Sequence, residues 1–147
     1  MSQSKEEEDL AHLFLQLGEK EQKVVIFLYE WDRPIRVGDI RRYVDFPHST
    51  LNSVIKRLKA KNVVNWEEYG LVNLDTVGKK IAAHHLQHHM TIHHFFQESL
   101  GLSAEEAHAE GLKSAGILSC KTVRLMKANI PDRELDRCGI IYEPPQK

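Results

Sequence analysis

The chain has 147 residues, 41% of them hydrophobic and 28% charged, with a formal net charge of −1. That balance excludes a disordered chain and fits one compact domain or two small ones; no apolar run approaches the roughly 18–20 residues that a membrane span requires. Two cysteines, Cys120 and Cys138, do not make a secreted disulfide framework and the acidic start MSQSKEEEDL is no signal peptide, so a reducing cytoplasm is the expected compartment.

The first periodic stretch is GEKEQKVVIFLYEW (18–31), whose Val24, Val25, Phe27, Leu28 and Trp31 keep one helical face dry. Asp32, Arg33 and Pro34 end it. A short helix is expected through VGDIRRYV, with Ile40 and Val44 inward and Arg41 and Arg42 outward. The DFP that follows forces a turn, because the residue before proline avoids the helical region. The next helix starts near Pro47–Ser49 and carries Leu51, Val54, Ile55 and Leu58, an i, i+3, i+4, i+7 stripe, with Asn62 as its stop. NVVNWEEYGLVNLD then reads as two short strands around a turn at Glu67–Gly70.

Helix, helix, turn, helix and two-stranded hairpin is the order of a winged helix-turn-helix, in which the last helix enters the major groove and its first residues meet base edges. Ser49, Thr50, Asn52 and Ser53 are short hydrogen-bonding side chains on the early turns of that helix, and Lys56 and Arg57, with Arg41 and Arg42 nearby, can reach phosphates. Between Arg33 and Lys61 eight basic residues face only Asp39 and Asp45, so a near-neutral total hides a strongly basic segment. Double-stranded DNA is the expected partner; the bland alternative is a solvated charged face on a winged helix that contacts protein.

Asp75-Thr76 before VGKKIAAHH opens a long helix, with Thr76 as the expected N-cap, running to about Ser99 and stopping at Leu100-Gly101. Ser103 and Glu106 form a capping-box signature for the next helix, and ILSCKTVRLMKANI gives one more before Pro131. The tail DRELDRCGIIYEPPQK reads as irregular. The fold class is therefore mainly α: a winged helix-turn-helix with a small β-hairpin wing over 1–75, followed by a helical dimerisation and metal-binding domain over 76–147. A homodimer would match a palindromic operator.

Six of the nine histidines fall within IAAHHLQHHMTIHHFF (81–96). Imidazoles four apart share a helix face, as in His84/His88, His85/His89 and His89/His93, and such pairs chelate transition metals. On an exposed helix they more often do nothing, and a third ligand from another segment would have to decide.

From roughly Val24 to Ser119 the chain resembles the metal-dependent repressors typified by the diphtheria toxin repressor, the iron-dependent regulators and the manganese transport regulators. The winged-helix half, the LDTVGKKIA entry to the long helix and ESLGLSAEEAHAEG carry the likeness, although LGEKEQKVVIFLYEW looks as much like the multiple-antibiotic-resistance regulators. In the metal-dependent family a helix histidine, a carboxylate one turn later and a histidine early on the next helix hold an ancillary metal. The resemblance places these at His89, His93 and His108, with His93 where the family usually has glutamate and with Glu110, His85 or water completing the set. Three imidazoles favour zinc, iron, nickel or cobalt over manganese, which prefers oxygen. The family's primary site, a Cys-or-Glu followed by Glu-His, falls here on Leu112-Lys113-Ser114-Ala115-Gly116, and its two early ligands fall near Lys23 and Ile26. The resemblance thus implies the fold with the primary site erased.

The function expected is a dimeric transcription regulator, a repressor, answering to a metal on the dimerisation domain. Two rivals stand beside it: a regulator of the same fold that answers to oxidation, haem or a small ligand through residues such as the cysteines, and a metal-binding interaction module that no longer touches DNA. His84, His88 and His94 are left as surface residues or dimer contacts. An enzyme is not expected, since no nucleophile-base-orienter spacing, glycine-rich phosphate loop or H-E-x-x-H is present.

Overall fold

The computed structural model describes residues 2–67 and 70–130, with side chains from Lys5 onward. The tail from Pro131, with Cys138, and the middle of the 67–70 turn lie outside the described residues. The described chain falls into two compact units, one of residues 16–82 and the other of 2–15 with 83–130.

The first unit opens with α2 (Glu19–Trp31), which follows α1 (Ser2–Gln16) of the second unit. Val24, Val25, Ile26, Phe27 and Leu28 of α2 are all buried, and Asp32 ends the helix in the left-handed region at φ 58°. The short helix α3 (Val37–Ile40) stops sooner than VGDIRRYV suggested. Its continuation tightens into i+3 bonds, Arg42 N–H to Asp39 O and Tyr43 N–H to Ile40 O, as helix ends often do. Tyr43 returns over α2, its ring 5.3 Å from Phe27 and 5.2 Å from Trp31.

The amphipathic stripe places α4 (His48–Ala60) against this core: Leu51, Val54, Ile55 and Leu58 are each fully buried, worth about 1.5–3 kcal/mol apiece. Asn62, at φ 62°, turns the chain out of the helix. The wing is β2 (Val64–Trp66) paired antiparallel with β3 (Leu71–Leu74), Val64 opposite Leu74 and Trp66 opposite Val72. Gly70 N–H closes the turn on Glu67 O at 2.7 Å. A third strand, β1 (Ile35–Arg36), pairs with the outer edge of β3, so the wing is a three-stranded sheet in the order β1-β3-β2 rather than the expected two-stranded hairpin.

The long helix α5 (Thr76–Leu100) begins in this unit and continues into the second at Ala83. Thr76 is its first residue rather than its cap. Asp75 stands before the helix, its carbonyl accepting the Lys79 N–H at 2.9 Å and its Oδ1 the Thr76 N–H at 2.8 Å. Gly78 passes directly beneath Val63 of the wing, where a Cβ would collide with the Val63 carbonyl oxygen.

In the second unit α5 ends as expected at Gly101, whose φ of +69° turns the chain. The capping box is formed: Glu106 N–H donates to Ser103 Oγ and Ser103 N–H to Glu106 Oε1, both at 3.1 Å, starting α6 (Ala104–Ser114). Ser119 caps α7 (Cys120–Ala128) through the Thr122 N–H. Ile92, Ala115, Val123 and Met126 form the apolar core, with Phe95, Phe96 and Leu118 against it. The acidic start is helical: Phe14 of α1 is buried and stacks on His85 at 3.9 Å, while Glu7 pairs with Arg124 at 2.6 Å.

Candidate nucleic-acid interface and metal centre

The exposed side of α4 begins with His48 and Ser49 and carries Ser53, Lys56, Arg57 and Lys59. Thr50 and Asn52 are half-buried. Asn52 Nδ2 lies 3.2 Å from His48 Nε2, and Ser53 Oγ donates back to Ser49 O at 3.1 Å. A groove of about 450 Å³ runs alongside, with Arg36, Asp39, His48, Asn52, Lys56 and Trp66 on its walls. His48 is a polar side chain at the mouth of this groove that the sequence reading passed over, because it sits at the ambiguous Pro47–Ser49 boundary. Arg41 and Arg42 are exposed on the turn after α3. Residues 16–82 hold 12 of the 20 basic side chains and 9 of the 21 acidic ones, so this unit is net positive inside a chain of net charge −1.

Arg57 is not a simple phosphate arm. Its Nε lies 3.4 Å from Glu21 Oε1, and Lys61 Nζ lies 2.7 Å from Glu21 Oε2, with the Glu21 side chain only 6% exposed. A carboxylate that deep requires cationic partners, and α4 supplies Arg57 and the residue just after it Lys61.

In the second unit the three histidines singled out by resemblance come together. His89 on α5 is 1% exposed, and its ring centroid lies 5.0 Å from that of His108 on α6 and 6.3 Å from that of His93; His93 and His108 are 6.4 Å apart. Two imidazoles bound to one ion through nitrogens at about 2.0–2.1 Å have centroids about 5 Å apart. His89 and His108 meet that spacing, and His93 stands about 1 Å further out by the same rule. Gly111 makes the helix approach possible, since its Cβ would stand 3.1 Å from the His89 ring.

Both ring nitrogens of His89 and Nδ1 of His93 are buried without a hydrogen-bond partner among the described residues. Each unpaired buried polar group costs about 1–3 kcal/mol, which a bound cation would offset. Burial lowers the His89 pKa to about 4, with His108 and His93 adding to the shift and the Gly111 backbone opposing it without reaching hydrogen-bond geometry. His93 is lowered by burial and then by His94. Both rings are therefore neutral near pH 7, the form that ligates metal. His89 and His108 thus have the spacing that a shared transition-metal ion needs, and His93 would have to move closer to join them.

His85 and Glu110 have other engagements. His85 stacks on Phe14, and burial with neighbouring imidazoles lowers it to about 4; Glu110 is exposed and 3.7 Å from Lys113. Of His84, His88 and His94, expected as surface residues or dimer contacts, His88 is 7% and His94 6% exposed within this chain, so these two are not surface residues. The tightest grouping of ligand types among the described residues is His84, His88 and Cys120, whose donor atoms lie within 4.8 Å of one another. The i, i+4 pair was visible in the sequence; the cysteine, 36 residues away, was not.

A basic unit with an exposed helix beside a three-stranded wing, followed in the chain by an imidazole-rich helical unit, is a winged helix joined to a helical unit. The chain shares this fold with solved regulators. It superposes on ScaR with bound zinc at a TM-score of 0.65 (21% identity, 76% of this chain and 53% of that one) and on the manganese regulator SloR at 0.57 (21% identity, 75% and 51%). It thus spans about half the length of these solved chains. A curated relative, an uncharacterised HTH-type transcriptional regulator of Methanocaldococcus jannaschii, is 28% identical over 106 residues, 72% of this chain and 85% of the relative. No protein-family model matches the chain. No helix among the described residues is long and apolar enough to cross a membrane.

Proposed function

We propose that the protein is a dimeric DNA-binding transcription regulator, a repressor, that reads a palindromic operator with α4 and holds a divalent transition metal through His89, His93 and His108. The observation that carries the reading is the exposed face of α4, where short hydrogen-bonding side chains precede basic ones beside a wing in a net-positive unit. That is the order needed for base edges first and phosphates after. Dimerisation is supported by the exposed apolar side chains of the second unit, Leu100 at 61%, Leu112 at 51%, Ile117 at 81% and Leu125 at 57%, which a partner subunit would take out of water.

The metal would be zinc, iron, nickel or cobalt, given an all-imidazole donor set. His89 and His93 would present it from α5 and His108 from α6. Bound there it would supply positive charge that satisfies nitrogens otherwise unpaired, and so brace the α5–α6 packing.

Selection of binding sites from random duplexes, followed by anisotropy titrations across salt concentrations with and without chelator, tests the whole. The expected result is a palindromic consensus, a steep fall of affinity with salt and a loss of affinity on chelation. A consensus that survives chelation unchanged supports instead a regulator of this fold without metal control, a reading favoured by Leu112, Ala115 and Gly116 at the family's primary-site positions. No salt-dependent binding to any duplex rejects both.

A further inference from the structure

A second cluster of ligands lies in the same unit, away from His89, His93 and His108. His84 and His88 stand one turn apart on α5 with ring centroids 4.2 Å apart, and Cys120 Sγ lies 3.6 Å from His84 Nε2. A tetrahedral ion with nitrogen at about 2.0–2.1 Å and sulfur at about 2.3 Å sets those two donors roughly 3.5 Å apart. The Cys120–His84 pair matches that spacing, and the His84 and His88 rings would have to part by a little under about 1 Å to share the ion. Cys120 is the first residue of α7, fixed there by the Ser119 cap, and is 5% exposed.

From this geometry we infer that His84, His88 and Cys120 form a thiolate-containing site for a borderline-soft divalent cation, zinc in the first instance. The site does not depend on the function proposed above. It is bounded by a pocket of about 290 Å³ whose wall includes Glu8 and His12 of α1, so a fourth ligand, water or side chain, has room to bind. Three protein ligands with one open position is a recognised coordination for zinc. Sulfur separates this site from the all-imidazole one: thiolate selects zinc, cobalt or copper(I) over manganese and magnesium. On binding, the Cys120 S–H bond breaks, its proton leaves to solvent and the sulfur lone pair bonds the cation. Glu7 of α1 is held by Arg124 at 2.6 Å, so that pair adds no net charge beside the ion. The site ties α5 to α7 beside α1, within one unit.

Cobalt(II) titration of the untagged full chain under reducing conditions tests this by absorption. A thiolate-to-cobalt charge-transfer band in the near ultraviolet, with intense visible bands of tetrahedral cobalt, is expected in the parent protein. The same bands should persist in C138S and in the H89A/H93A double variant. The charge-transfer band should vanish in C120S, and the cobalt affinity read from that band in H84Q and H88Q should fall by more than the roughly 10–100-fold that an outer-shell change costs. Far-UV circular dichroism of each metal-free variant checks folding, and if C120S does not fold the two glutamine variants decide. The inference is overturned if the parent shows no charge-transfer band at saturating cobalt, if the band survives C120S, if it disappears in C138S or H89A/H93A, or if both glutamine variants bind cobalt like the parent.

Discussion

Gly111 of α6 backs onto His89 of α5 so closely that a methyl group there would stand 3.1 Å from both Nδ1 and Cε1 of the imidazole. The missing side chain sets the separation of the two helices and therefore of His108 from His89. Gly111→Ala should push the ring or the helix aside by a few tenths of an ångström and weaken zinc at the all-imidazole site by roughly 10-fold or more. Competition with a chromophoric chelator measures this in a C120S background. Unaltered affinity would mean that His89 and His108 do not share an ion.

Gly78 plays the corresponding part in the winged-helix unit, lying under the Val63 carbonyl that also accepts the Asp75 N–H at 2.9 Å. Gly78→Ala should cost about 1–3 kcal/mol by overpacking. Gly38, with nothing within 4 Å of a built Cβ, is the control, and Gly38→Ala should be neutral or stabilise by up to about 1 kcal/mol through helix propensity. Urea denaturation reads both. Equal midpoints would show that the wing moves away from α5 at no cost.

Lys56 and Asn52 are expected to separate affinity from specificity. Lys56→Ala should weaken all duplexes alike and reduce the slope of log K against log salt by about 0.9, the signature of one lost phosphate contact. Asn52→Ala should change the preference at one base pair by about 1–3 kcal/mol while leaving the slope alone. If Lys56→Ala alters preference and Asn52→Ala alters slope, α4 is docked in a different register from the one proposed.

Glu21 holds Arg57 and Lys61 within a single unit, so it should act on both stability and DNA. Glu21→Gln removes the carboxylate's charge and should destabilise the unit by about 1–2 kcal/mol, a modest figure because both bases are about half exposed. It should also release positive charge toward phosphate and steepen the salt slope by up to about one. A slope that stays the same would show that these two bases face away from the duplex.

The parts of this fold that could be read from the sequence are those whose signal is local and repeated. Leu51, Val54, Ile55 and Leu58 announce the buried side of α4 by spacing alone, and Ser103 with Glu106 announces the start of α6. What could not be read depends on distant partners. The two residues of β1 have no period of their own and become a strand only because Ile35 and Arg36 meet Val72 and Leu71. The acidic run in α1 looks like a solvated start until Phe14 finds His85 and Glu7 finds Arg124. Glu21 sits among charged residues in GEKEQK and yet is buried, because its partners arrive from the end of α4 and the residue after it. Histidine is the hardest case: its spacing looks the same whether a ring is solvated or enclosed, so the burial of His88, His93 and His94 had no sequence signature.

Trp31 and Trp66, the only tryptophans in the chain, both belong to the winged-helix unit. Indole emission is therefore an intrinsic, label-free gauge of that unit, blind to events confined to the imidazole-rich half. Zinc is colourless and diamagnetic and quenches nothing by itself. Any change it produces in that emission, when taken up among the histidines, is a message that has crossed from one half of the molecule to the other.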